Sequence, residues 1–272
     1  MPKKKNPLKK LKLGCDECFH KGYLVEKNND LARARMCNCI VNCQSCNGTG
    51  ATITRNEKGY TYINPCGICG VIQRNVKLYN VAGIPAKYSH VLQVDTFQPR
   101  DKTHQYAISY AKEFVQLYPV KKGFLLMGAA GRGKTHLAIG TISEMTLERG
   151  VKCMFKDFLS LLSELKEAYS FGTSENEVIQ PLVDTEILVI DELGKGRSNE
   201  WELNILDQLI SKRYNASKMT LITTNYISKT EENSDIENNE ILELRVGKRI
   251  ASRLYELCEF IPLKGNDYRR KK

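Results

Sequence analysis

Long apolar runs are missing from this 272-residue chain; no stretch approaches the roughly 20 apolar residues that span a bilayer. A secretory leader is missing as well, because the lysine-rich start has no apolar run behind it. Together these absences point to a cytoplasmic protein with no membrane partner. Acidic residues are absent from Met1–Leu13, which carries six lysines, so residues 1–14 read as a basic flexible tail with at most weak attraction for phosphate backbones. Charge imbalance is nearly absent after residue 75, where 28 basic residues face 26 acidic ones. The net charge of +10 therefore sits in the first 75 residues, with thirteen basic against five acidic. Such a flank suits an acidic partner, nucleic acid or protein. Tryptophan occurs once, at Trp201, and cysteine almost vanishes after Cys69, leaving Cys153 and Cys258. Cys153 lies in an apolar run and reads as a small core residue.

What is present at the start is a cysteine framework written twice. Cys15-x-x-Cys18 is followed after eighteen residues by Cys37-x-Cys39, and Cys43-x-x-Cys46 after nineteen residues by Cys66-x-x-Cys69. Each first pair leads through glycine (Gly22; Gly48 and Gly50) into a strand-like run, a polar turn and a returning strand. The spacing is that of four-cysteine zinc sites, each closing the open end of a β-hairpin. Pairing within each copy is preferred over nesting, which would have to link Cys39 to Cys43 through a three-residue turn. Four thiolates leave no open coordination position, so two structural Zn²⁺ per chain are expected, not catalytic ones. Two such sites add a charge of about −4, so much of the basicity neighbours thiolate and is a poor footprint for DNA. His20, beside Cys18, is a further ligand candidate or a bystander. The stretch Cys43-Gln-Ser-Cys46-Asn-Gly-Thr-Gly50 resembles the repeat of the DnaJ cysteine-rich region, a zinc module. The organisation read from these features is tail 1–14, zinc-binding module 15–75 and a second domain 76–272, with Val71–Tyr88 as the connection.

The second domain is organised around Gly128-Ala129-Ala130-Gly131-Arg132-Gly133-Lys134-Thr135, which fits the phosphate-loop pattern G-x-x-x-x-G-K-[ST] without mismatch. The apolar run Phe124–Met127 before it suits a buried strand, and Leu137, Ile139, Ile142 and Met145 after it have helical spacing. The glycines let backbone N–H groups converge on phosphate oxygens at a helix N-terminus, and the binding set runs on to His136. Lys134 is expected on the β- and γ-phosphates of ATP and Thr135 on Mg²⁺. A helix is expected from about Lys102 to Leu117, a strand over Val151–Phe155, and a helix Phe158–Tyr169 capped by Asp157. Strand Glu186–Ile190 delivers Asp191 and Glu192, a Walker B pair in which Asp191 serves Mg²⁺ and Glu192 the attacking water. A helix Glu200–Tyr214 and a strand Met219–Thr224 follow, the latter ending at Asn225, an amide able to sense the γ-phosphate. Lys229–Glu240 is acidic, asparagine-rich and unpatterned, as a solvated loop is.

Gly-Arg-Gly-Lys-Thr-His-Leu-Ala, Leu-Val-Ile-Asp-Glu-Leu-Gly, Thr-Leu-Ile-Thr-Thr-Asn, Ile-Ala-Ser-Arg-Leu and the terminal Gly-Asn-Asp-Tyr-Arg occur in that order. Over roughly residues 80–270 the chain thereby resembles the AAA+ ATPases of the DnaC/DnaI helicase-loader and IstB transposition-helper family. The resemblance implies an α/β fold, a P-loop AAA+ core on a parallel sheet, beside the small β-hairpin zinc domain. It also implies an ATPase completed by a neighbouring subunit of a spiral or ring homo-oligomer. On it, Asn225 is the sensor-one residue, Arg253 the trans-acting finger with Arg249 as second candidate, and Arg269 similar to the sensor-two arginine. Related initiators grip single-stranded nucleic acid beside Walker B; the matching positions include Lys166, Tyr169 and Trp201, with Lys195, Arg197 and Asn199 nearby, although Trp201 also suits a core position. The implied function is helicase loading, with a replicative helicase held by the zinc module and single-stranded DNA by the core. Transposition helping on duplex DNA is the alternative. An origin-melting initiator is disfavoured, because little chain follows Arg269 for a duplex-reading domain.

Overall fold

The computed structural model describes residues 15–41, 43–229 and 241–269. The basic tail 1–14, residues 230–240 of the expected acidic loop, and Arg270 lie outside the described residues. Two compact units emerge, one formed by the chain up to His90 with Ser143–Lys152, the other by Val91–Ile142 with Cys153 onward.

The first unit holds two antiparallel hairpins, β1 (Tyr23–Asn28) with β2 (Leu31–Met36) and β3 (Ala51–Arg55) with β4 (Thr61–Pro65), separated by the short helix α1 (Asn38–Val41). Each hairpin starts at a glycine of positive φ, Gly22 at 78° and Gly50 at 77°, a conformation glycine adopts without strain. Val71–Tyr88 is more than a connection, since α2 (Gly70–Val81) occupies most of it, burying Ile72, Val76 and Tyr79 at helical spacing. This helix runs across the boundary expected between residues 75 and 76. The Asn80 side chain caps the edge of β2, accepting from Ala34 N (2.7 Å) and donating to Ala34 O (2.9 Å). Within the same unit, Tyr23 donates to Glu148 Oε1 (2.7 Å) and Asn75 Nδ2 to the Leu147 carbonyl (2.8 Å).

The second unit carries helix α3 (Lys102–Leu117), with Asp101 accepting from Thr103 N and His104 N at its cap. It also carries a parallel sheet of β5 (Gly123–Met127), β6 (Cys153–Asp157), β7 (Ile187–Asp191), β8 (Met219–Thr224) and β9 (Cys258–Pro262), in the order β6-β7-β8-β5-β9. The strand after Gly150 runs two residues later than expected, because Asp157 ends it and caps α5 (Phe158–Ser170) through Ser160 N. β5 and β7 are buried along their whole length, which is why they read as unbroken apolar runs. Crossovers are made by α4 (Lys134–Leu147), by α5 with α6 (Glu175–Asp184), by α7 (Glu200–Asn215), and by α8 (Leu242–Val246) with α9 (Lys248–Leu257). Arg213 is fully buried and bonds carbonyl oxygens of Leu182, Val183, Thr185 and Met219 together with Thr220 Oγ1. It ties the ends of α6 and α7 to β8. Among the described residues no helix is long and apolar enough to cross a membrane.

Strand order positions the chemistry. β8 lies between the phosphate-loop strand β5 and the acidic strand β7, with Met127 level with Thr224 and Ile190 with Ile222. Gly128, Asp191 and Asn225 therefore leave the sheet along one edge, at the carboxyl ends of the strands, where open α/β sheets bind their ligands.

Candidate functional site

The phosphate loop turns on three glycines of positive φ, Gly128 (128°), Gly131 (78°) and Gly133 (80°). Each is crowded as well as contorted. A Cβ on Gly128 would overlap the Leu263 carbonyl, on Gly131 the Asp267 carboxylate and on Gly133 the Phe97 ring. Lys134 is 6% exposed and donates to the Gly128 carbonyl (2.6 Å), the Ala129 carbonyl (2.9 Å) and Asn225 Oδ1 (2.9 Å). Burial lowers its pKa to about 8, helped by the Arg132 charge and opposed by Asp191 and Glu192. The ammonium is thus held desolvated among weak acceptors, and a triphosphate would be a far better partner.

Thr135 Oγ1 donates to Asp191 Oδ1 (2.8 Å), and Thr223 Oγ1 donates to the same oxygen (2.5 Å). Burial raises the Asp191 pKa, while the two hydroxyls pull it down. A half-compensated buried carboxylate beside a threonine hydroxyl fits a hard divalent cation such as Mg²⁺, which favours oxygen donors. Glu192 has φ 56°, its N–H donates to Thr223 Oγ1 (3.0 Å), and its carboxylate pairs with Lys195. The side chains thus form two adjacent bonded sets, Lys134 with Asn225, and Thr135 with Asp191 and Glu192 through Thr223.

The chain's last described residues complete the locus. Arg132 donates to the carbonyls of Leu263 (2.9 Å) and Gly265 (3.1 Å), and Tyr268 N donates to the Gly131 carbonyl (2.9 Å). Tyr268 is anchored by its OH to the Gln98 carbonyl (2.7 Å) and by the Arg100 guanidinium 3.7 Å from its ring. Arg269 lies close enough for its charge to depress Lys134. His136 bonds Thr96 Oγ1 (3.1 Å) and leans on Phe97. Ala129 and Ala130 are exposed at the loop's crest.

Arg253 and Arg249 occupy a different place, sharing Asp207 at 2.7 and 3.5 Å. Lys166, Tyr169 and Trp201 come together, with the Lys166 ammonium 5.2 Å from the Trp201 ring centre and the Tyr169 ring edge-on to it at 6.3 Å. Trp201 also leans on the apolar core. Sequence reasoning missed Thr223, Phe97 and Asp267. Thr223 had a signal, since a polar side chain two residues before Asn225 falls on the same face of the sheet, at the strand's carboxyl end.

In the first unit the eight cysteines fall into two clusters, Cys15/Cys18/Cys37/Cys39 and Cys43/Cys46/Cys66/Cys69, with sulfurs within 4.8 Å of one another in each. Pairing is therefore within each copy. Cross-hairpin Sγ···Sγ distances are 3.7 Å for Cys15–Cys37, Cys18–Cys39 and Cys43–Cys66, and 3.2 Å for Cys46–Cys69. A tetrahedron with Zn–S near 2.3 Å has edges of about 3.8 Å, so the donor sets fit Zn²⁺. Gly22 N–H donates to Cys18 Sγ (3.2 Å) and Gly50 N–H to Cys46 Sγ (3.3 Å), the same thiolate-stabilising bond in both copies. His20 is no part of either cluster; its Nδ1 accepts from Cys15 N (3.1 Å).

The profile of the IstB-like ATP-binding proteins matches residues 80–272. The chain belongs to that family. It is 28% identical over 147 residues to the replicative helicase loader DnaC of Escherichia coli K12, covering 53% of this chain and 59% of DnaC. An insertion-sequence ATP-binding protein of Geobacillus stearothermophilus is 29% identical over 149 residues, 55% of this chain and 56% of that protein. The chain thus spans under two-thirds of these relatives' lengths. The crystal structure of the DnaC helicase loader superposes with a TM-score of 0.57 at 29% identity, covering 65% of this chain and 99% of that one. AMPPCP-bound DnaA from Aquifex aeolicus, at 17% identity and TM-score 0.53, shares the fold. The chain is a DnaC/IstB-type AAA+ protein with an ATP-binding core.

Proposed function

We propose that this protein is an ATP-dependent loader of a replicative helicase, holding its client through the N-terminal zinc module and single-stranded DNA through the ATPase core. The observation that carries the ATPase half is the pair of bonded sets Asn225–Lys134 and Thr135–Asp191–Thr223–Glu192, which gather groups for phosphate, cation and water at one sheet edge. The residues of Gly128–Thr135 would hold the phosphates of ATP, and Thr135 with Asp191 would hold Mg²⁺. When bound, the cation neutralises charge on the β- and γ-phosphate oxygens. Lys134 exchanges the Gly128 and Ala129 carbonyls for phosphate oxygens, Asn225 orients the attacking water, and Glu192 takes its proton. Arg253 serves the site of a neighbouring copy, so an isolated subunit turns over slowly and assembly accelerates it. Within its own subunit that arginine is paired with Asp207 (2.7 Å). Arg269 adds positive charge beside Lys134.

The loader reading draws on the likeness to DnaC and on the Lys166–Tyr169–Trp201 cluster, a cation and two rings of the kind that stack bases. Two zinc ions per chain would fix the hairpins, whose second copy leaves Ile53 and Ile63 open to a client. Transposition helping is the second reading, favoured by the insertion-sequence relative. The test is gel filtration of the full chain with the replicative helicase of the same source, with and without ATP. Co-elution with the helicase, lost in an Ile53→Glu/Ile63→Glu variant that keeps its zinc, supports the loader. Absence of any complex, with ATP-dependent filaments on duplex DNA by electron microscopy, favours the transposition helper.

A further inference from the structure

We infer that the second cysteine-closed hairpin carries a binding face for single-stranded nucleic acid, with Tyr60 and Tyr62 as stacking platforms. This contact is additional to the Lys166–Tyr169–Trp201 cluster of the core and does not depend on it.

The hairpin β3–β4 presents both of its faces to solvent, since every residue of β4 is exposed and β3 is exposed from Ile53 onward. Side chains alternate across a strand, so the two faces differ in chemistry. One is built around Ile53 opposite Ile63. The other carries Thr52 opposite Asn64 and Thr54 opposite Tyr62, and the pairing continues to Asn56, whose N–H donates to the Tyr60 carbonyl (3.1 Å). The first face is aliphatic and suits a protein. The second sets two aromatic rings among amides and hydroxyls, the composition with which strands take up unstacked bases.

The two rings are open, and their backbone is held. Tyr60 is 65% and Tyr62 50% exposed, and neither ring meets another ring or a cation among the described residues. They lie two positions apart, about 6.8 Å along the strand, far enough for each to take its own base. Asn56 organises both. Its Oδ1 accepts from Lys58 N (3.1 Å) and Tyr60 N (2.9 Å), and its Nδ2 donates to the Tyr62 hydroxyl (3.1 Å). Asn64 Nδ2 donates to Thr54 Oγ1 (2.9 Å) beside them.

The first copy shows that a hairpin of this kind does not require such a face. Leu31, Arg33 and Arg35 stand where Tyr60, Tyr62 and Asn64 stand in the second. Leu31 is bridged by Pro85, Arg33 bonds the Asn80 carbonyl, and Arg35 pairs with Glu17 and Glu26. That face is taken up inside the molecule, whereas its counterpart is open. Charge favours a polyanion there, because Arg55 and Lys58 meet a single acid, Glu57, between Ala51 and Pro65.

The test is fluorescence anisotropy of labelled oligo-dT with the full chain, for wild type, Tyr60→Ala/Tyr62→Ala, Tyr60→Phe/Tyr62→Phe and Ile53→Ser/Ile63→Ser, each checked for unchanged zinc content. The alanine pair should weaken binding by about fivefold or more, while the phenylalanine pair, which keeps the rings, binds as wild type. The serine pair, on the opposite face, should bind as wild type too. The alanine loss should persist in a Trp201→Ala background; wild-type binding by Trp201→Ala alone refutes the core cluster and leaves this inference standing. Unchanged affinity of the alanine pair, or an equal loss in the serine pair, overturns it. So does an alanine pair that keeps oligo-dT but no longer co-elutes with the helicase, which gives the face to protein. Photocrosslinking of wild type to a bromodeoxyuridine-substituted oligonucleotide needs no substitution: adducts at Tyr60 or Tyr62 support the inference, and adducts confined to other residues overturn it.

Discussion

Lys134 should take up a proton when ATP binds at mildly alkaline pH. Without nucleotide it is buried against two loop carbonyls and the Asn225 amide oxygen, and its pKa is lowered from 10.5 to about 8. A triphosphate at the loop replaces dipoles with full negative charge and draws the pKa back towards or above its ordinary value. At pH 8.5 a group with pKa near 8 is about three-quarters deprotonated, so binding takes up roughly 0.7 proton; at pH 7 it takes up about 0.1. The terminal phosphate is itself fully ionised at pH 8.5 and contributes nothing. Isothermal titration in two buffers of different ionisation enthalpy reads the number directly. Lys134→Arg should bind without uptake, because a guanidinium stays charged at both pH values. The same shift has a sign for stability. With the folded pKa below the unfolded one, the unfolded chain binds more protons between pH 8 and 10.5, so this residue's contribution improves as pH rises through that window. The gain is at most about 3 kcal/mol and should be missing from the nucleotide-saturated protein. Uptake below about 0.2 proton at pH 8.5, or equal uptake by Lys134→Arg, would refute the desolvated-lysine argument.

Thr223→Val keeps the side chain's shape but removes the hydroxyl that serves both Asp191 and Glu192 N–H. Bonds to charged groups are worth about 1.5–3 kcal/mol, so the Mg²⁺ concentration at half-maximal turnover should rise by about tenfold or more. Gly133→Ala places a Cβ against the Phe97 ring at φ 80°, which should weaken binding of a fluorescent ATP analogue by more than about tenfold. Unchanged affinity would mean that the ring yields freely. Replacing Cys43 and Cys46 together by serine should halve the zinc content measured by mass spectrometry, since the other four cysteines form their own cluster. Retention of both ions would rule out the second cluster as a zinc site.

Most of the ATPase site was legible because its groups lie in short motifs at the ends of apolar runs. A buried parallel strand has little choice about where it stops, so Gly128 and Asn225 could be placed from β5 and β8 alone. Pairings between distant segments of no motif could not be read. Arg253 shares Asp207 with Arg249 across 46 positions, and nothing local in α7 marks Asp207 as their partner. The resemblance singled out Arg253 as a finger but not the acid that holds it. α2 was missed although Ile72, Val76 and Tyr79 have helical spacing, because glycine and proline after it gave the whole stretch the look of a connection. α6 has no counterpart among the expected elements; Pro181 inside it speaks against a helix, and the Ser174–Glu177 capping box is the local signal for one.

The two hairpins show most clearly where pattern stops deciding structure. Counted from Gly22 and Gly50, Val25 opposite Ala34 in the first copy corresponds to Ile53 opposite Ile63 in the second. Hydrophobicity alone would bury the isoleucines first. Instead Ala34 is buried in the copy clamped by Asn80 of α2, while Ile53 and Ile63 are 74% and 75% exposed. The difference lies in where α2 packs: it lies against β2, and a single helix covers only one of the two hairpins. Metal held by the second cysteine cluster would explain how that copy keeps an open apolar face at all. Four metal–thiolate bonds can hold a hairpin that has no core of its own, whereas a bare two-stranded sheet is marginal in water. Zinc bound there would free the face from the work of folding, and on the proposed function a face freed in that way is available to the helicase.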